Sequence, residues 1–374
     1  MSTTAIHKSE SAGLKPLPRP DRRLHNSRVK INQGILKSVS YLNYDTVKLV
    51  VKCDEGSVPL RASAGQYATL QTPGLGKARA YSVARPPEDE NENEHTFFVR
   101  IVHGGEFSGW LAEKDRSGAP MTISGPLGKF GLDSTNNPMV CIAGGSGMSA
   151  IKALLEHAAN RKVERDCLFL YGGRAQRDLY CSEEMAAVGR NWNKKFKFEF
   201  LPVLSDEPAN SGWAGARGFV TEYFKKAYLD TGKMSVKSCK AYFCGPPVMI
   251  DSGVEILKKA GLSEKDIYFD KFEDARSPAP VIDNTKCVLC DECLMVKPTA
   301  NCIVEVSKLV KGENGNFASY EQVDPAYTSG LYYNTLFIDE KVCIRCYACV
   351  EACPTQAISP QYDKTPRTLR QTIV

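Results

Sequence analysis

Two cysteine runs near the C-terminus carry the most specific chemistry in this chain. Cys343, Cys346, Cys349 and Cys353 follow a C-x2-C-x2-C-x3-C spacing, with Pro354 behind the last. Three thiolates on one tight loop plus a nearby fourth, followed by proline, are the run that wraps a cubane 4Fe-4S cluster, a one-electron carrier. The other run, Cys287, Cys290 and Cys293, reaches its next cysteine only at Cys302, after eight residues, and no proline follows it. Where two cubanes share one small domain, the fourth cysteine of each run ligates the other cluster. The expected sets are therefore Cys287, Cys290, Cys293 and Cys353 for one cluster, and Cys343, Cys346, Cys349 and Cys302 for the other. Zinc is the alternative, but tetrathiolate zinc sites use two separated pairs instead of a tight triple with a distant cap. Cys53, Cys167, Cys181 and Cys239 lack ligand spacing and read as ordinary buried thiols. The five histidines are scattered, and they support no metal or triad site.

A second chemistry lies upstream. Arg79-Ala80-Tyr81-Ser82 offers an arginine fork for a phosphate, an aromatic face for a flat heterocycle and a hydroxyl for a ring nitrogen, which are the needs of a flavin. Gly104-Gly105 followed by Ser108 gives a close-approach turn and a helix start, a seat for its diphosphate. An apolar strand then enters Gly144-Gly145-Ser146-Gly147 and a helix, so backbone amides face a pyrophosphate at a helix N-terminus. The spacing is not G-x-G-x-x-G, and on its own it fits a generic strand-to-helix turn equally well. Cys244-Gly245-Pro246-Pro247 repeats the arrangement after the apolar stretch Ala241 to Phe243. In a parallel sheet both turns fall at the carboxyl ends of strands, where ligands bind.

The elements needed to position these groups are visible as texture. From Val29 to Leu132 short alternating strands with polar turns predict an antiparallel β-barrel. From Met139 to Asp274 apolar strands alternate with helical stretches, the pattern of an α/β domain with a parallel sheet. Arg276 to Pro280 reads as a proline-rich linker to the cysteine region. The length of 374 residues and 43% hydrophobic content allow each unit a core. Residues 1–30 hold seven Lys or Arg against Glu10 and Asp21, enough to account for the net charge of +5, so the body is near neutral. The mild basic balance, with no aromatic residues among the basic ones, argues against nucleic-acid binding. Glu88 to Glu94 reads as a solvated acidic hairpin tip. No apolar run spans a bilayer, and no secretory leader is seen, so a cytoplasmic setting with reduced thiols is expected.

In this order the motifs resemble the ferredoxin-NADP reductase superfamily from about Val29 to Ala275, most closely the reductase components of bacterial multicomponent monooxygenases. The resemblance rests on Arg79 to Ser82, Gly105 and Ser108, Gly144 to Gly147, Tyr171-Gly172-Gly173-Arg174, Gly212-Trp213-x-Gly215, Cys244 to Pro247 and Tyr268-Phe269-Asp270-Lys271-Phe272. It implies FAD held by Arg79, Tyr81, Ser82, Gly105 and Ser108. It also implies a nicotinamide site of Gly144, Gly145, Ser146, Gly147, Arg174, Gly245 and Pro246, with Cys244 beside the nicotinamide and Phe272 stacked on the flavin. Residues 285–360 resemble a bacterial two-cluster ferredoxin instead of the plant-type 2Fe-2S domain usual in such reductases. The expected architecture is a basic tail (1–28), an FAD-binding β-barrel (29–135), a nicotinamide α/β domain (136–275), a linker (276–284), a small α+β ferredoxin domain (285–363) and a tail (364–374). The expected activity passes electrons from NADH, with NADPH the alternative, through FAD and two 4Fe-4S clusters to a partner protein, an oxygenase component or a soluble ferredoxin. Two other readings stand beside it: a quinone-linked oxidoreductase, and a flavin reductase whose cysteine module is a non-redox docking site.

Overall fold

The computed structural model describes residues 29–89, 91, 93–272, 278–283, 285–299, 302–311, 317–322 and 335–360. The basic tail, the C-terminal tail, Glu90 and Glu92 of the acidic tip, and residues 273–277 of the expected linker lie outside them.

Strands β1 (Lys30–Tyr41), β2 (Thr46–Cys53), β3 (Tyr67–Gln71), β4 (Arg79–Ser82) and β5 (Glu94–Arg100), helix α1 (Glu106–Glu113) and strand β6 (Pro120–Leu127) build the first unit. Period-two alternation drives it: Val47, Leu49, Val51 and Cys53 of β2 point inward onto Leu36, Leu70, Phe97 and Ile123. The sheet runs β4-β3-β6-β1-β2-β5, all antiparallel. A Val83–Phe97 bridge and an Ala84 N–H donated to Thr96 O (2.8 Å) bring its two edges together into a nearly closed barrel. Gly125-Pro126-Leu127 ends β6, with a cis Gly125-Pro126 bond.

The second unit alternates β7 (Met139–Gly144), α2 (Met148–Asn160), β8 (Cys167–Gly173), α3 (Ser182–Asn191), β9 (Phe198–Leu204), β10 (Ala216–Arg217), α4 (Val220–Phe224), β11 (Lys240–Gly245), α5 (Pro247–Lys259) and β12 (Ile267–Lys271). Its sheet runs β10-β9-β8-β7-β11-β12 and is parallel throughout. The central strands are buried on both faces: Val140 and Ile142 pack on one side and Met139, Cys141 and Ala143 on the other, hence an apolar run in place of alternation. A buried pair fastens the segment leaving the barrel to this sheet. Arg165, 2% exposed, donates to Asp133 Oδ1 (2.6 Å) and Asp133 O (2.8 Å), and Tyr242 OH donates to Asp133 Oδ1 (2.8 Å).

The C-terminal unit contains β13 (Pro280–Ile282), α6 (Glu292–Met295), β14 (Ile303–Lys311), β15 (Phe317–Gln322), β16 (Thr335–Ile338), α7 (Ala348–Ala352) and β17 (Ile358–Pro360). Pro280–Ile282, assigned to the linker by sequence, pairs antiparallel with β17 and so belongs to this unit, because Val281 and Ile282 find strand partners in Ser359 and Ile358. The sheet β15-β14-β16 occupies the stretch between the two cysteine runs.

Gly147 lies where β7 and β11 are pressed together: a Cβ there would sit 2.0 Å from Cys244 O and 2.5 Å from Cys244 C. Gly145, with φ +53°, has nothing within 4 Å. Gly147→Ala is therefore expected to cost about 3 kcal/mol of stability, the upper range of overpacking, against about 1 kcal/mol for Gly145→Ala, whose cost is backbone conformation alone. Denaturant unfolding of the two variants checks the order.

Candidate functional site

Strand β4 delivers Arg79, Tyr81 and Ser82 to the seam between barrel and parallel sheet. Ser82 is 3% exposed, and its hydroxyl donates to Asp270 Oδ2 (3.1 Å) on β12. The same carboxylate oxygen is 3.9 Å from Cys244 Sγ at the end of β11. Three residues far apart in sequence thus meet at one point, with Asp270 between the barrel hydroxyl and the sheet thiol. Burial raises the Asp270 carboxyl to about 6, against the hydrogen bonds from Ser82 and Cys244 that lower it. Burial, the Asp270 charge and its hydrogen bond push the Cys244 thiol well up, so Cys244 stays neutral. Phe272, half-buried, donates its N–H to Gly245 O (3.0 Å) and packs on the core that includes Cys244.

Arg79 is aimed by Glu106, the first residue of α1 (Nη2 to Oε2, 3.5 Å), whose other oxygen accepts Gly76 N–H (2.7 Å). Tyr81 stacks obliquely on Phe107, with centroids 5.6 Å apart. Gly105 precedes α1, where a Cβ would fall 2.4 Å from Ser108 Oγ; that hydroxyl accepts Val102 N–H (3.2 Å). These residues fit the phosphate and ring end of a flavin, because the arginine and the α1 N-terminus are both positive and the glycine leaves the backbone bare. Gly144 to Gly147 and Gly245-Pro246 form two turns in contact at the carboxyl edge of the sheet, a fit for a dinucleotide. Arg174 lies at the same edge beyond β8, but it is not alone: Asp178 Oδ2 accepts the Arg174 and Ala175 N–H groups (2.9 and 2.7 Å), and Tyr44 OH donates to Asp178 Oδ1 (2.6 Å). Glu207 accepts both Gln176 N–H (2.7 Å) and its side-chain amide (2.6 Å).

The eight C-terminal cysteines divide by space as well as by sequence. Cys287, Cys290, Cys293 and Cys353 line one pocket, with Ile282, Val288, Ile358, Asp291 and Thr355. Cys302, Cys343, Cys346 and Cys349 line another, with Ile303, Ile338, Pro280, Lys297 and Tyr347. Each pocket brings four thiols together among largely aliphatic neighbours. Four thiols around one volume are the donor set that a cubane cluster takes. Burial pushes the Cys293 and Cys346 thiols up to about 12. Cys353 differs: its sulfur accepts Ala357 N–H (3.2 Å), and its pKa is lowered by hydrogen bonds from Thr355, Ala357 and Ile358 that outweigh partial burial.

The oxidoreductase FAD-binding domain family matches residues 33–131, the oxidoreductase NAD-binding domain family residues 141–254, and the 4Fe-4S binding domain family residues 336–359. The chain is 41% identical over 239 residues to the xylene/toluene monooxygenase electron transfer component of Pseudomonas putida, covering 64% of this chain and 65% of that one. It is 34% identical over 251 residues to the phenol 2-monooxygenase reductase component of Pseudomonas sp. strain CF600, covering 66% and 67%. The chain belongs to the ferredoxin-NADP reductase family. Its fold agrees: a solved Amycolatopsis cytochrome P450 reductase superposes with a TM-score of 0.58 at 31% identity, covering 65% of this chain and 70% of that one. The matched part spans about two thirds of the curated relatives' length. The 4Fe-4S family match includes the Cys343 to Cys353 run and stops short of the Cys287 to Cys302 run.

Sequence reasoning passed over Asp270, Tyr67 and Glu351 as site residues. The one signal for Asp270 was a carboxylate inside the aromatic-rich motif Tyr268-Phe269-Asp270-Lys271-Phe272. Its raised pKa has a measurable consequence in the cofactor-free chain. The ionised carboxylate is disfavoured on folding, so stability falls as pH rises from about 4 to about 6 and the full penalty is present above that. Asp270→Asn keeps an acceptor for Ser82 and removes the charge. It is expected to stabilise the apoprotein at pH 8 by about 3 kcal/mol and to do little at pH 4, read by denaturant unfolding at the two values.

Proposed function

We propose that this chain is an NADH-dependent reductase that feeds single electrons, through FAD and two 4Fe-4S clusters, to a separate oxygenase component. The observation that carries the proposal is that one chain holds both a pair of four-cysteine pockets and a seam where Ser82, Asp270 and Cys244 meet. A bound flavin accepts a hydride and releases its electrons one at a time, which a nicotinamide does not do. The chain's own residues prepare that exchange. Ser82 presents a hydroxyl fixed by Asp270, Cys244 stays a neutral and compact wall beside the Gly245 turn, and Phe272 covers the seam until a nicotinamide takes its place. Gly144 to Gly147 and Pro246 accept the dinucleotide backbone, while Arg79, Gly105 and Ser108 hold the flavin phosphates. The cysteine sets are Cys287, Cys290, Cys293 and Cys353, and Cys302, Cys343, Cys346 and Cys349. The relatives' names supply the partner class: one is the electron transfer component and the other the reductase component of a monooxygenase. Cluster thiolates persist in a reducing compartment, so the cytoplasm is the setting we infer. No helix among the described residues is long and apolar enough to cross a membrane.

NADH is favoured over NADPH by the charge at the adenosine edge. Arg177 lies over the Tyr44 ring (4.9 Å) and Arg174 lies beside Asp178, so the arginines there are already engaged, while the Asp178 and Glu207 carboxylates repel a 2′-phosphate. Steady-state kinetics should give the higher kcat/KM for NADH, and a higher value for NADPH would overturn this choice. Purified protein should contain about one FAD and about eight iron atoms per chain. Cys290→Ser should lower the iron by about half while FAD remains, and it should still reduce ferricyanide with NADH while failing with a protein acceptor. Wild-type iron near four per chain would remove one cluster from the proposal.

A further inference from the structure

Strand register places Tyr67 of β3 directly opposite Ser82 of β4. The Tyr67 ring is buried, and its hydroxyl donates to the backbone carbonyl of Cys346 (2.6 Å), a residue 279 positions further along the chain. The contact is reinforced on both sides. Val29, Tyr67 and Leu127 of the barrel form one apolar cluster with Ala348, and with Val296 and Cys346 at its margin. Lys129 N–H donates to Glu351 Oε2 (2.9 Å), and Lys129 Nζ donates to Glu351 O. Gly128 makes room for this seam: a Cβ there would lie 2.7 Å from the Tyr67 ring. The cysteine loop that meets the barrel is thus the one holding Cys346, and it meets it one strand away from the hydroxyl at the flavin seam.

The two cysteine sets differ in the opposite sense toward solvent. Cys302, Cys343 and Cys349 are buried and Cys346 is half-buried against the barrel, whereas in the other set only Cys293 is buried. Cys287, Cys290 and Cys353 are half-buried, and Val288 beside Cys287 is 62% exposed. Helices α6 and α7, which carry Cys293 and Cys349, pack against each other and bring the two sets side by side.

Resting on the cluster-bearing reading above, we propose that the Cys302, Cys343, Cys346 and Cys349 cluster is the one that takes electrons from the flavin. Tyr67, Lys129 and Glu351 hold it against the barrel, and the Cys287, Cys290, Cys293 and Cys353 cluster hands electrons to the partner. The balance is simple. NADH loses a hydride and becomes NAD⁺, the two electrons leave the flavin singly with release of the proton, and each passes proximal set, distal set, then one equivalent of a one-electron acceptor protein. Tyr67, Lys129 and Glu351 are positioning residues: they touch the loop and not the reacting atoms.

Rapid-freeze electron paramagnetic resonance of the holoenzyme mixed with NADH tests the order. In Cys287→Ser the proximal cluster should still be reduced by NADH at the wild-type rate. In Cys343→Ser the surviving distal cluster should be reduced by dithionite but not by NADH within turnover time. Should Cys343→Ser fail to hold any cluster, Tyr67→Phe decides in an otherwise intact protein. Losing one hydrogen bond at the seam should lower the docking equilibrium constant about fivefold and slow cluster reduction by NADH by up to that factor, with cluster content and spectra unchanged. Lys129→Ala should act in the same direction. A distal cluster reduced by NADH at the wild-type rate in Cys343→Ser, or an unchanged rate in both Tyr67→Phe and Lys129→Ala, overturns this inference alone. Absence of cluster iron in the wild type overturns the functional reading and this inference with it.

Discussion

Hydride transfer requires two flat rings in contact, and in this chain the rings would be held by different units, so everything depends on the seam where barrel and parallel sheet meet. The Asp270 carboxylate is the interaction at its centre. It accepts from Ser82 on one side and lies beside Cys244 on the other, which fixes strand β4 against the ends of β11 and β12. The buried Asp133–Arg165–Tyr242 cluster holds the same two units together further back. A buried charge stripped of either partner is costly, so this cluster favours one relative placement of the two units over others.

The C-terminal unit extends the same logic. A ferredoxin tethered by a linker alone would meet the flavin by diffusion, whereas here a tyrosine hydroxyl, a lysine–glutamate pair and a small apolar cluster dock it. Each contact is modest on its own. Three cysteines of the other set, Cys287, Cys290 and Cys353, are only half-buried.

Much of this was legible in the sequence because the signals are local. Period-two alternation marked the barrel strands, continuous apolar runs marked the doubly covered strands β7, β8 and β11, and three-residue steps marked the two cysteine runs. What escaped was pairing across distance. Ser82 and Asp270 are 188 positions apart, and Tyr67 and Cys346 are 279, so neither contact leaves a trace in any window of sequence. Pro280 misled for a related reason: proline reads as linker, yet at the first position of an edge strand it gives up no ladder bond.

The central claim is that hydride pairs become single electrons stored on one flavin and two clusters within one chain. Anaerobic titration of the purified holoprotein with NADH, followed by visible absorbance and electron paramagnetic resonance, tests it most directly. The account predicts that about two equivalents of NADH complete the titration, supplying two electrons to the flavin and one to each cluster, with both cluster signals appearing. An endpoint at about one equivalent, with the flavin bleached and both clusters silent although dithionite reduces them, would contradict it.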